Sequence, residues 1–315
     1  MGTLRIVFMG TPDFAVGILD RLLQDGHSVV GVVTAADKPA GRGRKLQESA
    51  VKQYAAHKGL ALLQPTNLKD PHFLDSLRAL KADVQVVVAF RMLPRSVWEM
   101  PPLGTFNLHA SLLPHYRGAA PINWAIMNGE VQTGATTFFL DDKIDTGEII
   151  LQATVPITME DTAGSLHDRL MVLGGDLVLK TLETIASGTV ETKGQTEDGP
   201  LKQAHKIHRD TCAIDWNKSL KQIYDHIRGL SPYPGAWTTL YDGEGPQLLK
   251  VYSATMEAGD HLYETGRLVV GRKSLKVAVK GGFINLLELQ LPGKKKMGAT
   301  DVLNGMKFSE NAYVR

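Results

Sequence analysis

The residues best equipped for chemistry lie in two short stretches, Thr105 to Pro121 and Asp141 to Gly147. In the first, Phe106, Leu108 and Ala110 alternate with Thr105, Asn107 and His109. That is the period of a strand, so Asn107 and His109 project from one face, two residues apart. An amide and an imidazole so placed can donate to an oxyanion as a carbonyl carbon turns tetrahedral. Asp145, in the second stretch, can orient a water or the imidazole and accept a proton through it. No serine or cysteine occupies a nucleophile-elbow setting, so the attacking amine in such a scheme belongs to the substrate. The same residue types serve equally well as hydrogen-bonding groups at strand ends. Asp145 in particular suits an Asx turn bonded to its own backbone, with Gly147 supplying permissive φ/ψ. Spacing alone leaves both uses open.

What must position these side chains is an α/β sheet. Leu4 to Met9 is a short apolar run followed by Gly10-Thr11-Pro12. Asp13 to Gln24 then places Phe14, Ile18, Leu19, Leu22 and Leu23 on one helical face, Gly26 ends it, and His27 to Thr34 is a second strand. This β-turn-α-β opening predicts a Rossmann-like, mostly parallel sheet. Gly10-Thr-Pro-Asp lacks the second and third glycines of a dinucleotide fingerprint, which speaks against a nicotinamide or flavin site. Ser49 and Asp70 are expected to cap helices. Val84 to Ala89 reads as a central buried strand, and Phe90 to Pro94 leaves it at the carboxyl edge, where open α/β sheets bind ligands.

Between the second strand and Ser49 runs Ala35 to Glu48, a long loop in which Gly41 and Gly43 alternate with Arg42 and Arg44, and Lys45 follows. It suits an arm reaching for phosphate, or a solvated surface loop. Thr162 to Ser187 has one apolar helical face, and Gly188 to Lys206 is polar and aperiodic. Short alternating runs between Ala236 and Leu289, punctuated by turn residues, suggest a small antiparallel barrel of OB-like kind. The expected organisation is a catalytic domain over 1–188, a linker over 189–207 and the barrel over 208–315.

Composition is that of an ordinary globular protein, 43% hydrophobic and 22% charged. The single cysteine, Cys212, excludes an intramolecular disulfide and a thiolate metal cluster. The first residues show no signal-peptide layout and no apolar run is long enough to span a membrane, so a cytoplasmic protein is expected. Net charge is only +2. Residues 208–315 carry 15 Lys+Arg against 11 Asp+Glu, leaving the preceding part slightly acidic. Mild basicity in the C-terminal part fits phosphate contact without requiring it.

The run from Asn107 to Pro121, followed by Asp145-Thr-Gly147, resembles the signature of the 10-formyltetrahydrofolate-dependent formyltransferases. Phe8 to Phe14 (Phe-Met-Gly-Thr-Pro-Asp-Phe) and Asp37 to Lys45 (Asp-Lys-Pro-Ala-Gly-Arg-Gly-Arg-Lys) resemble the branch that formylates methionine carried on initiator tRNA. The likeness runs nearly end to end. It implies that Asn107, His109 and Asp145 are the catalytic triad. It implies that Ser111, Leu112, Leu113 and Pro114 bind 10-formyltetrahydrofolate largely through backbone groups, with Phe90 and Met92 in the loop that cradles the pterin. Arg42 would reach toward the acceptor stem, with Arg44 and Lys45 on phosphates. The implied partners are methionine-charged initiator tRNA and the folate co-substrate, with no metal and no membrane, for a monomeric enzyme. One departure is visible: Ala89 to Pro94 is a residue shorter than the family pattern and lacks its glycine, which leaves the role of Arg91 open. A sister enzyme acting on a small amine, a formyltetrahydrofolate hydrolase, and an RNA-binding module using the barrel alone are the competing readings.

Overall fold

The structure is a computed structural model that describes residues 4–40, 45–196, 199–243 and 245–315. They fall into two compact units, each assembled from separated stretches. The first takes residues 1–118, 132–155 and 167–203, and the second takes 119–131, 156–166 and 204–315.

In chain order the elements begin with β1 (Arg5–Gly10), α1 (Asp13–Gln24), β2 (Ser28–Val33), β3 (Lys38–Ala40), β4 (Lys45–Gln47), α2 (Ala50–His57), β5 (Leu62–Leu63) and α3 (Pro71–Ala79). There follow β6 (Val84–Val88), α4 (Arg95–Trp98), β7 (Thr105–His109), β8 (Arg117–Gly118), α5 (Pro121–Met127), β9 (Gln132–Phe139), β10 (Ile149–Pro156) and α6 (Ala163–Ser187). The remainder comprises β11 (Gln203–Ala204), α7 (Leu220–Gly229), β12 (Ala236–Tyr241), β13 (Pro246–Ala258), β14 (Leu268–Val270), β15 (Leu275–Val279), β16 (Gly282–Gln290), β17 (Met297–Gly298), α8 (Ala299–Gly305) and β18 (Tyr313–Val314).

The first unit is built on a seven-stranded sheet in the order β10-β9-β7-β6-β1-β2-β5. Neighbours from β7 through β5 run parallel, and β9 pairs antiparallel to β7. The expected Rossmann-like sheet is therefore present with antiparallel strands added at one edge. β1 and β6 are buried along nearly their whole length, which is why they read as mostly apolar runs, broken in β6 by Gln85. One face carries Val7, Met9, Val87, Phe73, Leu77 and Val97 in a single cluster. A side chain at Gly10 would put its Cβ 2.6 Å from the Ala15 Cβ, so glycine is what lets β1 turn tightly into α1. On the other face α6 approaches β7 closely: a Cβ at Gly174 would lie 2.8 Å from Leu108. Leu108 thus faces α6, and its neighbours Asn107 and His109 face away from it.

The expected caps are made. Ser49 accepts from the Lys52 N–H at 3.0 Å and Asp70 from the Phe73 N–H at 3.1 Å. Ala35 to Glu48 differs from the plain loop expected of it, because β3 and β4 pair there as an antiparallel hairpin. The reason lies at its base. Thr34 and Ser49 share a hydroxyl–hydroxyl hydrogen bond of 2.8 Å, and Lys52 pairs with Asp37 and, at 2.8 Å, with Glu48. Gln64 donates to Asp37 (2.8 Å) and to the Ala35 carbonyl (3.0 Å). Two cross-ties of equal span bring the ends of the segment together and leave the middle to pair with itself.

The second unit contains an antiparallel sheet in the order β14-β15-β16-β13-β12-β18, with β17 added to β16. Strands β17 and β18 are too short to show any period in the sequence. The sheet closes over a core that includes Trp216, Ile223, Ile227, Leu249, Val251 and Ile284. α5 and the 156–166 stretch belong to this unit: the Asn123 amide donates to Gly229 O (2.8 Å), and Arg228 donates to the Thr158 and Asp161 carbonyls (3.0 and 2.8 Å). No helix among the described residues is long and apolar enough to cross a membrane.

Candidate active site

β7 delivers Asn107 and His109 to the carboxyl edge of the sheet, flanked by β6 on one side and β9 on the other. His109 is 6% exposed, and its Nε2 lies 2.7 Å from the Tyr116 carbonyl oxygen. A carbonyl can only accept, so Nε2 carries the proton. In the neutral ring Nδ1 is then the lone-pair atom. Nδ1 faces the Asp145 carboxylate, with Oδ2 3.9 Å away. That distance gives electrostatic contact rather than a hydrogen bond. The Asn107 Oδ1 is buried without a hydrogen-bond partner among the described residues. An unmet buried acceptor beside an imidazole–carboxylate pair is the sort of exception that calls for a functional account.

Asp145 does not serve its own turn. The Asx-type bonds there are made by Asp141, which accepts from the Lys143 N–H at 2.9 Å and from the Thr146 hydroxyl at 2.8 Å. Asp145 instead accepts from the Gly118 N–H at 2.9 Å, 27 residues away. Its backbone sits in the left-handed region, φ +56°. The expectation that Gly147 supplies the unusual backbone angles is thereby corrected. Gly147 is needed for close approach: a Cβ there would fall 1.7 Å from the Phe139 carbonyl oxygen.

Ser111 to Pro114 forms a tight loop after β7 whose polar backbone is held from beneath. The Thr136 hydroxyl donates to Ser111 O (2.6 Å) and accepts from the Leu113 N–H (3.2 Å). Gln152 donates to Leu113 O at 3.0 Å and to the Thr136 hydroxyl at 2.9 Å, while the Ser111 hydroxyl donates to His115 O at 2.7 Å. Nothing in the sequence marked Thr136 or Gln152, because their relevance depends on where β9 and β10 lie in the sheet. The Ser111 and Leu113 side chains are buried.

Phe90 and Met92 lie in the loop after β6. Here Ala89 takes the left-handed conformation (φ +47°) in a segment without glycine. Arg91 finds its place in the protein itself. It donates to the carbonyls of Pro65 and, at 2.9 Å, Thr66, and stacks over the Phe90 ring at 5.7 Å. Met92 is 62% exposed on the wall of a groove of about 680 Å³ that is also lined by Arg91, Leu93, Pro94, Trp98 and Asp142. Arg42 and Arg44 lie outside the described residues, as does the side chain of Lys45, whose backbone opens β4.

Polar groups gathered at this edge suit the passage of an acyl group from one nitrogen to another, with no protein nucleophile among them. Comparison with known proteins gives the class. Residues 4–182 match the family model described as formyl transferase, and residues 206–307 match its C-terminal domain. The chain belongs to the formyl transferase family. A methionyl-tRNA formyltransferase of Flavobacterium johnsoniae is 58% identical over 314 residues, covering 100% of each chain. One of Bacteroides thetaiotaomicron is 54% identical over 312 residues, covering 98% of this chain and 97% of its own. Among solved structures, HypX of Aquifex aeolicus in complex with tetrahydrofolic acid shares the fold at TM-score 0.65 and 17% identity. That match covers 96% of this chain and 47% of HypX.

Proposed function

We propose that this enzyme transfers the formyl group of 10-formyltetrahydrofolate to the free amine of methionine esterified to initiator tRNA. The observation that carries this is identity of 54–58% across essentially the whole length to curated methionyl-tRNA formyltransferases. In that reading the enzyme works in the cytoplasm, where initiator tRNA is charged. The barrel, with Arg42, Arg44 and Lys45, supplies the contacts to tRNA.

Asn107 is half-buried in β7, and we assign its amide N–H to the formyl oxygen. The amine must attack as a free base, forming the new C–N bond as the formyl carbon turns tetrahedral. Asn107 donates to the oxyanion through its NH₂ group. His109 begins with Nδ1 as an acceptor, because Nε2–H is committed to Tyr116, and takes the proton that the attacking amine loses, directly or through one water. The resulting imidazolium faces the Asp145 carboxylate, which stabilises it. Nδ1–H then gives the proton to the departing folate nitrogen as that C–N bond breaks. The products are N-formylmethionyl-tRNA and tetrahydrofolate, and atoms and charge balance without a metal.

For the donor, Ser111 to Pro114 present a stiff edge beside Asn107 and His109. The groove walled by Met92 is of ordinary small-molecule size, roughly 300–1,000 Å³. Phe90 and Met92 would take the pterin side. The test is incubation with 10-formyltetrahydrofolate and methionine-charged initiator tRNA, with formylmethionine as the expected product. Faster formylation of small free amines than of charged tRNA, or formate release without acceptor, would overturn the substrate assignment.

A further inference from the structure

The tripeptide Tyr116-Arg117-Gly118 serves three groups in succession. Its first carbonyl holds His109 and its last N–H holds Asp145. The middle residue, Arg117, donates from Nε (3.1 Å) and Nη2 (2.7 Å) to the side-chain oxygen of Gln195. Gln195 in turn donates from Nε2 to the backbone carbonyls of Asp145 and Gly147, both at 2.9 Å. One amide therefore closes a ring running from His109 through Tyr116–Gly118 and Gln195 to the Asp145 turn.

We infer that Gln195 is a positioning residue for Asp145, supplied by a stretch that looks like featureless linker in the sequence. The stretch is anchored on both sides of Gln195 within the first unit. Lys193 and Ile149 exchange backbone hydrogen bonds of 2.8 and 2.9 Å, and the Tyr116 N–H donates to Lys202 O at 2.6 Å.

The geometry explains why such a strut is needed. A non-glycine residue in the left-handed region is strained and persists only where its surroundings over-determine it. Asp145 holds that conformation in a turn whose own Asx bonds come from Asp141. Its side chain is held by one N–H, that of Gly118. The two carbonyls on either side of Thr146 are what fix the turn's orientation, and both rest on the same Nε2. The planar amide of Gln195 suits the position because it must accept from a guanidinium on one side and donate to carbonyls on the other. A carboxylate could do the first only, and an ammonium the second only.

This inference rests on the proposed role of Asp145, and the experiment separates the two. Steady-state kinetics with 10-formyltetrahydrofolate and charged initiator tRNA are measured for Gln195→Leu, Asp145→Asn and the double variant, with thermal melting of each. Gln195→Leu is expected to lower kcat at least about tenfold with both KM values within about twofold of wild type. In the Asp145→Asn background it should change kcat by less than about twofold, since a residue acting only through Asp145 has nothing left to position. Gln195→Glu, which keeps the acceptor for Arg117 and loses the donor, should reproduce the loss and serves if the leucine variant folds poorly. Wild-type kcat in Gln195→Glu, or an equal loss from Gln195→Leu with and without Asp145, overturns the positioning role alone. If Asp145→Asn itself keeps kcat, the assigned role of Asp145 falls and this one with it.

Discussion

Two regions of the first unit are held in place by opposite means. The edge around β7 holds His109, the Ser111–Leu113 loop and Asp145 with hydrogen bonds that nearly all have a backbone group on one side: Tyr116 O, Gly118 N–H, Ser111 O and Leu113 O. The base of the β3–β4 hairpin is held by charged side chains, Lys52 between Asp37 and Glu48, with Gln64 behind. Backbone anchors tolerate neither displacement nor slack and do not titrate. Side-chain ion pairs near the surface are compliant and respond to salt and pH. The difference matches the proposed tasks. Moving a proton demands fixed positions, whereas an arm that meets a large, highly charged acceptor can give at its base.

Four experiments sharpen or break this contrast. The largest effect is expected from Asp145→Asn, which removes the charge facing Nδ1 while keeping an acceptor for Gly118. kcat should fall about 10²–10⁴-fold with KM little changed, the range of positioned acid–base groups. Near-normal turnover would show that the imidazole needs no carboxylate. Gly147→Ala should come next, because its Cβ would sit 1.7 Å from Phe139 O, so that the turn or β9 must move. A loss of about 1–3 kcal/mol in chemical denaturation is expected, typical of overpacking, together with lost activity. A fully stable Gly147→Ala variant would mean the Asp145 turn is looser than its contacts imply.

Thr136→Val keeps the shape and removes the hydroxyl under the Ser111–Leu113 loop. Leaving these buried backbone groups unpaired costs about 1–3 kcal/mol, read as lower stability and a raised KM for the formyl donor with tRNA KM unaffected. If tRNA KM alone rose, the loop would belong to the acceptor side.

The smallest effect is expected at the hairpin base. Lys52 and Gln64 hold the Asp37 carboxyl below its ordinary value of 3.8, and Asp37 and Glu48 raise the Lys52 ammonium above 10.5. A depressed carboxyl contributes stability that is present above pH 3.8 and lost as pH falls through its folded value. A raised ammonium contributes stability present below pH 10.5 and lost as pH rises through its folded value. Lys52→Met should therefore lower Tm slightly at neutral pH and low salt, and the gap to wild type should close in acid and in high salt. A gap independent of both would mean that packing of the Lys52 stem, rather than charge, holds the hairpin.

How much of this was legible beforehand follows the range of the interactions. Alternation in Thr105–Ala110 and the valine-rich run at Val84–Val88, interrupted only by Gln85, are local signals, and both are strands. The caps at Ser49 and Asp70 need only three residues to form. The Asn107-to-Pro121 motif named the family before any fold was visible. What stayed hidden depends on partners distant in sequence. Asp141 and Asp145 are both acidic residues in one turn, and only the arrival of Gly118 distinguishes them. Thr136 and Gln152 look like routine polar residues on alternating strands. Gln195 lies in a stretch without any period. The Ala35–Glu48 hairpin required ties between residues fifteen apart that no hydrophobic pattern records.

The interleaving of the two units has a consequence for how the chain must be born. On the ribosome, residues 119–131 and 156–166 emerge long before the stretch from 204 onward that they join. The Asn123 amide must wait 106 residues for the Gly229 carbonyl. The first unit, by contrast, has all its pieces once Gln203 is out. Early segments of the second unit thus spend much of synthesis unpaired, and the last third of the chain recruits them. Any attempt to express the barrel by itself as residues 208–315 would omit partners that Gly229 and Arg228 hold, so a workable fragment has to be spliced rather than cut.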